Sequence, residues 1–188
     1  TLSANYAFTR RNFDALPFPS GGWGLGIDLG GGHTLGSSRD PFARAVGRWR
    51  SYHTLGGRDT DQDAPVSVRS AGRLVVQGEL GAVWARSGIS LPSTQLFLTG
   101  GDTSVRGYGR NDIGVTLPGG AVTAGRYLAS GSVEWQQPIR SNGQATDWEG
   151  ALFIDAGAVA DRAADLHAKV GVGAGVRWKS PIGPLQID

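Results

Sequence analysis

Along most of this chain apolar side chains recur at every second residue. Only an extended strand puts residues two apart on one face, so that period excludes a mainly helical fold. Over 22–30, Trp23, Leu25, Ile27 and Leu29 alternate with glycines and Asp28. Over 74–84, Leu74, Val76, Leu80 and Trp84 share one face, with Gln77, Glu79 and Gly81 on the other. Over 127–136, Tyr127, Ala129, Val133 and Trp135 oppose Ser130, Ser132, Glu134 and Gln136. Over 151–159, Leu152, Ile154, Ala156 and Ala158 oppose Phe153, Asp155 and Gly157. Over 170–179, Val170, Val172, Ala174, Val176 and Trp178 oppose glycines, Arg177 and Lys179. Weaker strands are expected over 2–9 and over 42–51, where Arg44, Arg48 and Arg50 oppose Ala43, Ala45 and Trp49, and another starts at Leu185. The expected fold is all-β, an antiparallel meander of about seven to eight strands.

Two environments fit such a meander. A soluble sandwich turns its apolar face inward, whereas an outer-membrane barrel turns it out to lipid and keeps polar residues in the lumen. All six tryptophans (Trp23, Trp49, Trp84, Trp135, Trp148 and Trp178) fall on the apolar parity, most of them near a strand end. That is where lipid-interface aromatics sit. The opposite face combines charges with an unusual share of the 31 glycines in 188 residues. Glycine weakens a strand and is a poor choice for a solvated face. The pattern favours the barrel. A mean hydropathy of −0.19 does not argue against it, because alternation dilutes apolar residues. No apolar run reaches the ~18 residues of a spanning helix.

Composition narrows the chemistry. The chain has no Cys, which removes disulfides and thiolate sites, and no Met, from which a mature or excised piece is expected. The net charge of +2 is spread without a basic stripe, so a nucleic-acid partner is not expected. His33, His53 and His167 lie far apart and lack metal-ligand spacing. Phosphate-loop and nucleophile-elbow motifs are missing. Asp59–Asp63 resembles a calcium loop, but lacks its sixth-position Gly and closing Glu. No catalytic residue, cofactor or metal is expected, and the chain reads as non-enzymatic.

The expected connections alternate in length. Those at 10–21 and 139–147 are moderate, and 180–184 turns straight into the last strand. One, about 85–125, is very long, and loops of this size are normally functional or disordered. Its Gln95–Leu98 stretch is apolar enough to pack. It also contains Gly100-Gly101-Asp102-Thr103-Ser104-Val105-Arg106-Gly107-Tyr108-Gly109. This resembles the VRG[FY] signature of the outer-membrane assembly and translocation barrels, the BamA/TamA superfamily, which includes two-partner secretion transporters. The family's second motif, F-x-D-x-G, is matched by Phe153-Ile154-Asp155-Ala156-Gly157, one strand further on and in the family's order. Gly131–Trp135 with Pro138, Gly171–Asp188, and Arg10–Asp14 with Pro17, Pro19 and Gly21 extend the resemblance over nearly the whole chain. Within the superfamily, the GGD-x-SVRGYG form is most similar to the TamA branch.

The resemblance implies a Gram-negative outer-membrane barrel of roughly sixteen strands, of which 1–188 is a partial, C-terminal piece. The first barrel half and the periplasmic POTRA domains would lie outside it. Implied partners are outer-membrane lipid, unfolded outer-membrane or autotransporter clients, and a periplasm-spanning partner subunit. The long loop would fold back into the lumen. Arg106 would then be a cation in a protein-lined cavity, costly unless paired. Asp155 lies on the inward parity, where a bidentate pair would pin the loop tip; Glu134 is a second candidate partner. Gly107 would allow a sharp turn and close approach to the wall, with Tyr108 packing beside it. Val105, Phe153 and Gly157 complete the expected loop-lock set. A small outer-membrane pore with the loop on its surface or a two-partner-secretion transporter barrel, and a soluble β-sandwich binding module, stay open as alternatives.

Overall fold

The computed structural model describes residues 1–35, 39–55, 72–180 and 183–188. Eight long strands form one antiparallel sheet: β1 (Leu2–Phe13), β2 (Gly22–His33), β3 (Pro41–Thr54), β4 (Arg73–Ala85), β7 (Tyr127–Ser141), β8 (Gln144–Ala160), β9 (Lys169–Ser180) and β10 (Gly183–Ile187). Each pairs with its sequence neighbour, so the order β1-β2-β3-β4-β7-β8-β9-β10 is a pure meander. β1 and β10 are its edges, and the sheet is not closed into a barrel. The calcium-like turn at Asp59–Asp63 lies outside the described residues.

The strands run longer than the alternation alone indicated. β1 continues to Phe13, leaving 14–21 as the connection to β2, and β7 and β8 extend through the expected 139–147 turn. Only Asn142 and Gly143 remain between them, with φ of +52° and +80°. Two consecutive residues with positive φ make the type I′ hairpin favoured by an Asn-Gly pair, whose twist matches that of the flanking strands. Pro138 is tolerated because the β7–β8 register shifts between Pro138 and Arg140, a bulge where proline removes no ladder bond.

The long connection is not structureless. Phe97 and Gly125 exchange backbone hydrogen bonds of 2.8 and 2.9 Å, and Thr99 and Ile113 exchange bonds of 3.0 and 2.9 Å. A short ladder, β5 (Val115–Thr116) with β6 (Val122–Thr123), lies beyond them. The loop closes on itself and packs on the sheet face that carries Glu134 and Asp155. Arg126 fastens its base by donating to the carbonyls of Ala85, Arg86 and Ile89 at 3.1–3.3 Å.

The enclosed face has two zones. Toward the loop base, Phe42, Val46, Val83, Leu128 and Val159 of the sheet meet Leu91 and Phe97 of the loop in an apolar core. The Phe97 ring sits over Gly81, where a Cβ would come within 2.6 Å of it. The Arg44 guanidinium stacks over the same ring at 4.7 Å. Toward the hairpin end the enclosed residues are polar and charged. The opposite face leaves Leu80, Leu152, Ile154, Val170 and Val172 exposed.

Gly143→Val places a β-branched residue at a left-handed position. It should destabilise the folded chain by about 1–2 kcal/mol, read as a lower midpoint in urea unfolding in detergent.

Candidate functional site

The loop tip is built by short-range bonds within 100–113. The Gly101 N–H donates to the Val105 carbonyl at 3.2 Å, and the Ser104 N–H to the Gly101 carbonyl at 3.0 Å. Gly100, Gly101 and Gly107 have φ of +105°, +104° and +88°, a region costly for side chains. A Cβ on Gly107 would meet nothing within 4 Å, so that glycine serves the turn and not a close approach. The close approach is supplied by the wall. A Cβ on Gly157 would sit 2.5 Å from the Val105 side chain, and one on Gly171 2.1 Å from the Arg106 carbonyl oxygen. Val105 is completely buried against these two seats. Tyr108 is half-buried, its hydroxyl donating to the Val170 carbonyl at 3.4 Å.

The Arg106 side chain then enters the charged zone. Its Nε and Nη2 donate to the two oxygens of Asp155 at 2.7 and 2.9 Å, a bidentate fork, and its own backbone N–H reaches Asp155 Oδ2 at 3.0 Å. Nη1 donates to Glu134 at 2.5 Å and to Asp188 at 3.3 Å, and Nη2 lies 3.3 Å from the Ser132 hydroxyl. The guanidinium carbon is 3.4 Å from the centre of the Phe153 ring. Phe153 is itself seated over Gly173, where a Cβ would stand 2.4 Å from the ring. Burial would pull the Arg106 pKa down, but the bonds it donates to Asp155 and Glu134 outweigh it and hold it above its ordinary value. The cation is permanent.

Glu134 also accepts from Arg177, at 3.1 Å to Nε and 2.7 Å to Nη2, and from the Gln136 amide at 2.6 Å. Arg177 pairs with Asp188. Further toward the hairpins, Glu149 pairs with Arg73 at 2.9 Å and with Lys179 at 2.7 Å. Asp155 and Glu149 are almost wholly inaccessible. In this cluster Arg73, Arg106, Arg177 and Lys179 face Glu134, Glu149, Asp155 and Asp188, so the buried charge is balanced. Fixed opposite charges of this kind hold an arrangement more than they add net stability.

Of the residues singled out in the sequence, the structure brings together Val105, Arg106, Glu134, Phe153, Asp155 and Gly157, with Tyr108 at the rim. It also adds Arg73, Gln136, Glu149, Arg177, Lys179 and Asp188. Arg177 and Gln136 stood on inward parity in the sequence. Glu149 was hidden by the unrecognised Asn-Gly hairpin, since it falls outside the expected 151–159 strand.

All six tryptophans point away from the loop. Trp49, Trp84, Trp135, Trp148 and Trp178 are exposed and Trp23 is half-buried. Trp148 and Trp178 are register partners and stack with centroids 5.6 Å apart. Trp84 alone lies near the loop end; the other five lie in the hairpin-side half of the sheet, with Trp49 and Trp135 further from a strand end than expected. His53 lies 3.0 Å from the Ser51 hydroxyl, and the His167 ring contacts the Asp165 carbonyl at 2.7 Å. Among the described residues no group of side chains is arranged to hold a metal ion.

Comparison with known proteins adds two findings. A family model described as the Omp85 superfamily domain matches residues 1–188. The crystal structure of BamA from Haemophilus ducreyi lacking POTRA domains 1-3 superposes with a TM-score of 0.70 at 21% identity. That match covers 98% of this chain and 37% of the BamA chain.

Gly171→Ala should cost about 1–3 kcal/mol in urea unfolding, because the new methyl meets backbone that cannot turn aside. Gly150→Ala, on the open outer face of β8 with nothing within 4 Å, should stay within about 0.5 kcal/mol.

Proposed function

The chain belongs to the Omp85 superfamily, and from that premise we propose that it is part of a Gram-negative outer-membrane barrel that inserts or translocates other proteins. In this reading it is not an enzyme. Its clients are unfolded outer-membrane or autotransporter proteins, and its form is TamA-like, acting with a periplasm-spanning partner subunit. The full barrel would include strands beyond the present sheet and POTRA domains that receive clients. The part described here fixes the long loop to the lumen wall.

The observation that carries this reading is the bidentate Arg106–Asp155 pair. A buried cation brought in by a loop from 49 residues away in sequence is an expensive arrangement. It is accounted for if the loop must be held in one place while neighbouring parts of the barrel move. The outward face supports membrane residence: Leu80 is 65% exposed and Val172 71%. Contiguous apolar surface of that kind suits lipid rather than water.

Charge reversal in the full-length protein tests the pairing. Arg106→Asp and Asp155→Arg should each abolish client insertion. The double swap should restore part of it, short of full recovery because Glu134 and Asp188 also face position 106. Equal activity of all four proteins would remove the lock. The membrane placement is tested separately by Val172→Arg. It should destabilise the protein in bilayers by about 2–4 kcal/mol if the face meets lipid, against about 0.5 kcal/mol or less for a solvated face.

A further inference from the structure

The connection 14–21 turns back over the enclosed face instead of pointing away from it. Pro19 is buried and Phe18 half-buried. Pro17, Phe18 and Pro19 line the same cavity of about 250 Å³ as Arg106, Glu134, Gln136 and Arg177. The turn therefore floors the charged zone from the hairpin end while the loop tip bounds it from the other side. Thr54 holds the turn by donating to the Ser20 carbonyl at 2.9 Å. Phe13, at the turn's start, meets Tyr52 edge-on with centroids 5.5 Å apart.

One side chain joins this floor to the wall. Arg73 places each of its three nitrogens on a different element. Nη1 donates to the Pro19 carbonyl of the turn at 2.7 Å, Nη2 to Glu149 of β8 at 2.9 Å, and Nε to the Gln136 side-chain oxygen of β7. Gln136 passes the connection on, because its amide nitrogen donates to Glu134 at 2.6 Å. Glu134 accepts from Arg106. An amide is the group for this place, since it accepts at one end and donates at the other. A carboxylate there could not donate to Glu134, and a cation could not accept from Arg73.

We propose that Arg73 and Gln136 are positioning residues that couple the 14–21 turn to the loop tip, so that displacing the turn loosens the seat of Arg106. The inference rests on the loop-lock reading above and extends it from one pair of residues to both ends of the enclosed zone. It gives the hairpin side of the molecule a direct mechanical link to the loop. Each element in the chain Pro19–Arg73–Gln136–Glu134–Arg106 is within hydrogen-bond reach of the next, and none of the links is a flexible surface contact.

The test uses the full-length protein in membranes, with Val105→Cys as a single introduced thiol whose modification rate reports whether the tip is seated. Val105 is fully buried, so labelling of the parent should be slow. Arg73→Gln and Gln136→Met should each speed labelling by about 10-fold, a loosening of the tip's seat by about the worth of one charge-assisted bond. The double variant should be no faster than the faster single one, since both break one chain. Arg73→Lys, which keeps the charge but has a single nitrogen, should fall between. Arg50 lines the same cavity but, among the described residues, its hydrogen bonds go to Gln77, so Arg50→Gln should leave the rate unchanged. Parent-like labelling in Arg73→Gln and Gln136→Met, with fast labelling in Asp155→Asn, would overturn the coupling alone. Parent-like labelling in Asp155→Asn as well would overturn the coupling together with the lock it rests on. An Arg50→Gln effect as large as that of Arg73→Gln would also overturn the coupling, reducing it to general loosening of the cavity.

Discussion

A guanidinium that never loses its proton, carried into a water-poor space, has to be met there by carboxylates, and much of the molecule is arranged around that requirement. Asp155 and Glu134 come from adjacent strands, β8 and β7, whose register sets Ser132 opposite Asp155 and Phe153 opposite Glu134. A one-residue slip of either strand would turn its acid to the outer face. The register of the sheet and the seat of the loop are therefore one constraint. Arg177 and Lys179 on β9 complete the balance: Arg177 shares Glu134 and Asp188 with Arg106, and Lys179 pairs with Glu149.

The enclosed face solves a packing problem as well as an electrostatic one. A loop of some forty residues has to lie close against a sheet whose inward side chains would ordinarily fill that space. The glycines remove them where contact occurs, Gly81 under Phe97, Gly157 under Val105 and Gly171 under the Arg106 backbone, while Gly173 makes room for the Phe153 ring of β8. Apolar contacts gather at the loop base and ionic contacts at the tip. The base is thus held by water exclusion, and the tip by directional bonds that tolerate little displacement.

Much of this was legible in the sequence because period two speaks for itself over long strands. The parity of Asp155, Glu134, Phe153 and all six tryptophans followed from counting by twos. The lock residues were legible through the resemblance of their motifs; spacing alone does not say which acid meets a loop arginine. What stayed hidden depended on turns. In sequence the Asn142-Gly143 hairpin looks like part of a moderate connection, which hides the strand residues carrying Glu149. The inward fold of 14–21 left no periodic mark, since proline and serine at a turn look the same whether the turn faces solvent or lumen. Arg73 stood at the first residue of its strand, where parity is easily read and partners are not.

The glycine row on β9 has a consequence for how the tip keeps its place. Gly171, Gly173 and Gly175 succeed one another on the inner face at two-residue steps, about 6.6–6.8 Å apart along the strand. Left bare, such a row would be a smooth track with no lateral stop, on which a tip could advance by one step and find an equally flat bed. Here the next bed is occupied by the Phe153 ring and the one after it by Asp188 and Arg177. Shape therefore sets how deep the tip lies, and its address along the track is set by neighbours that fill the adjoining beds.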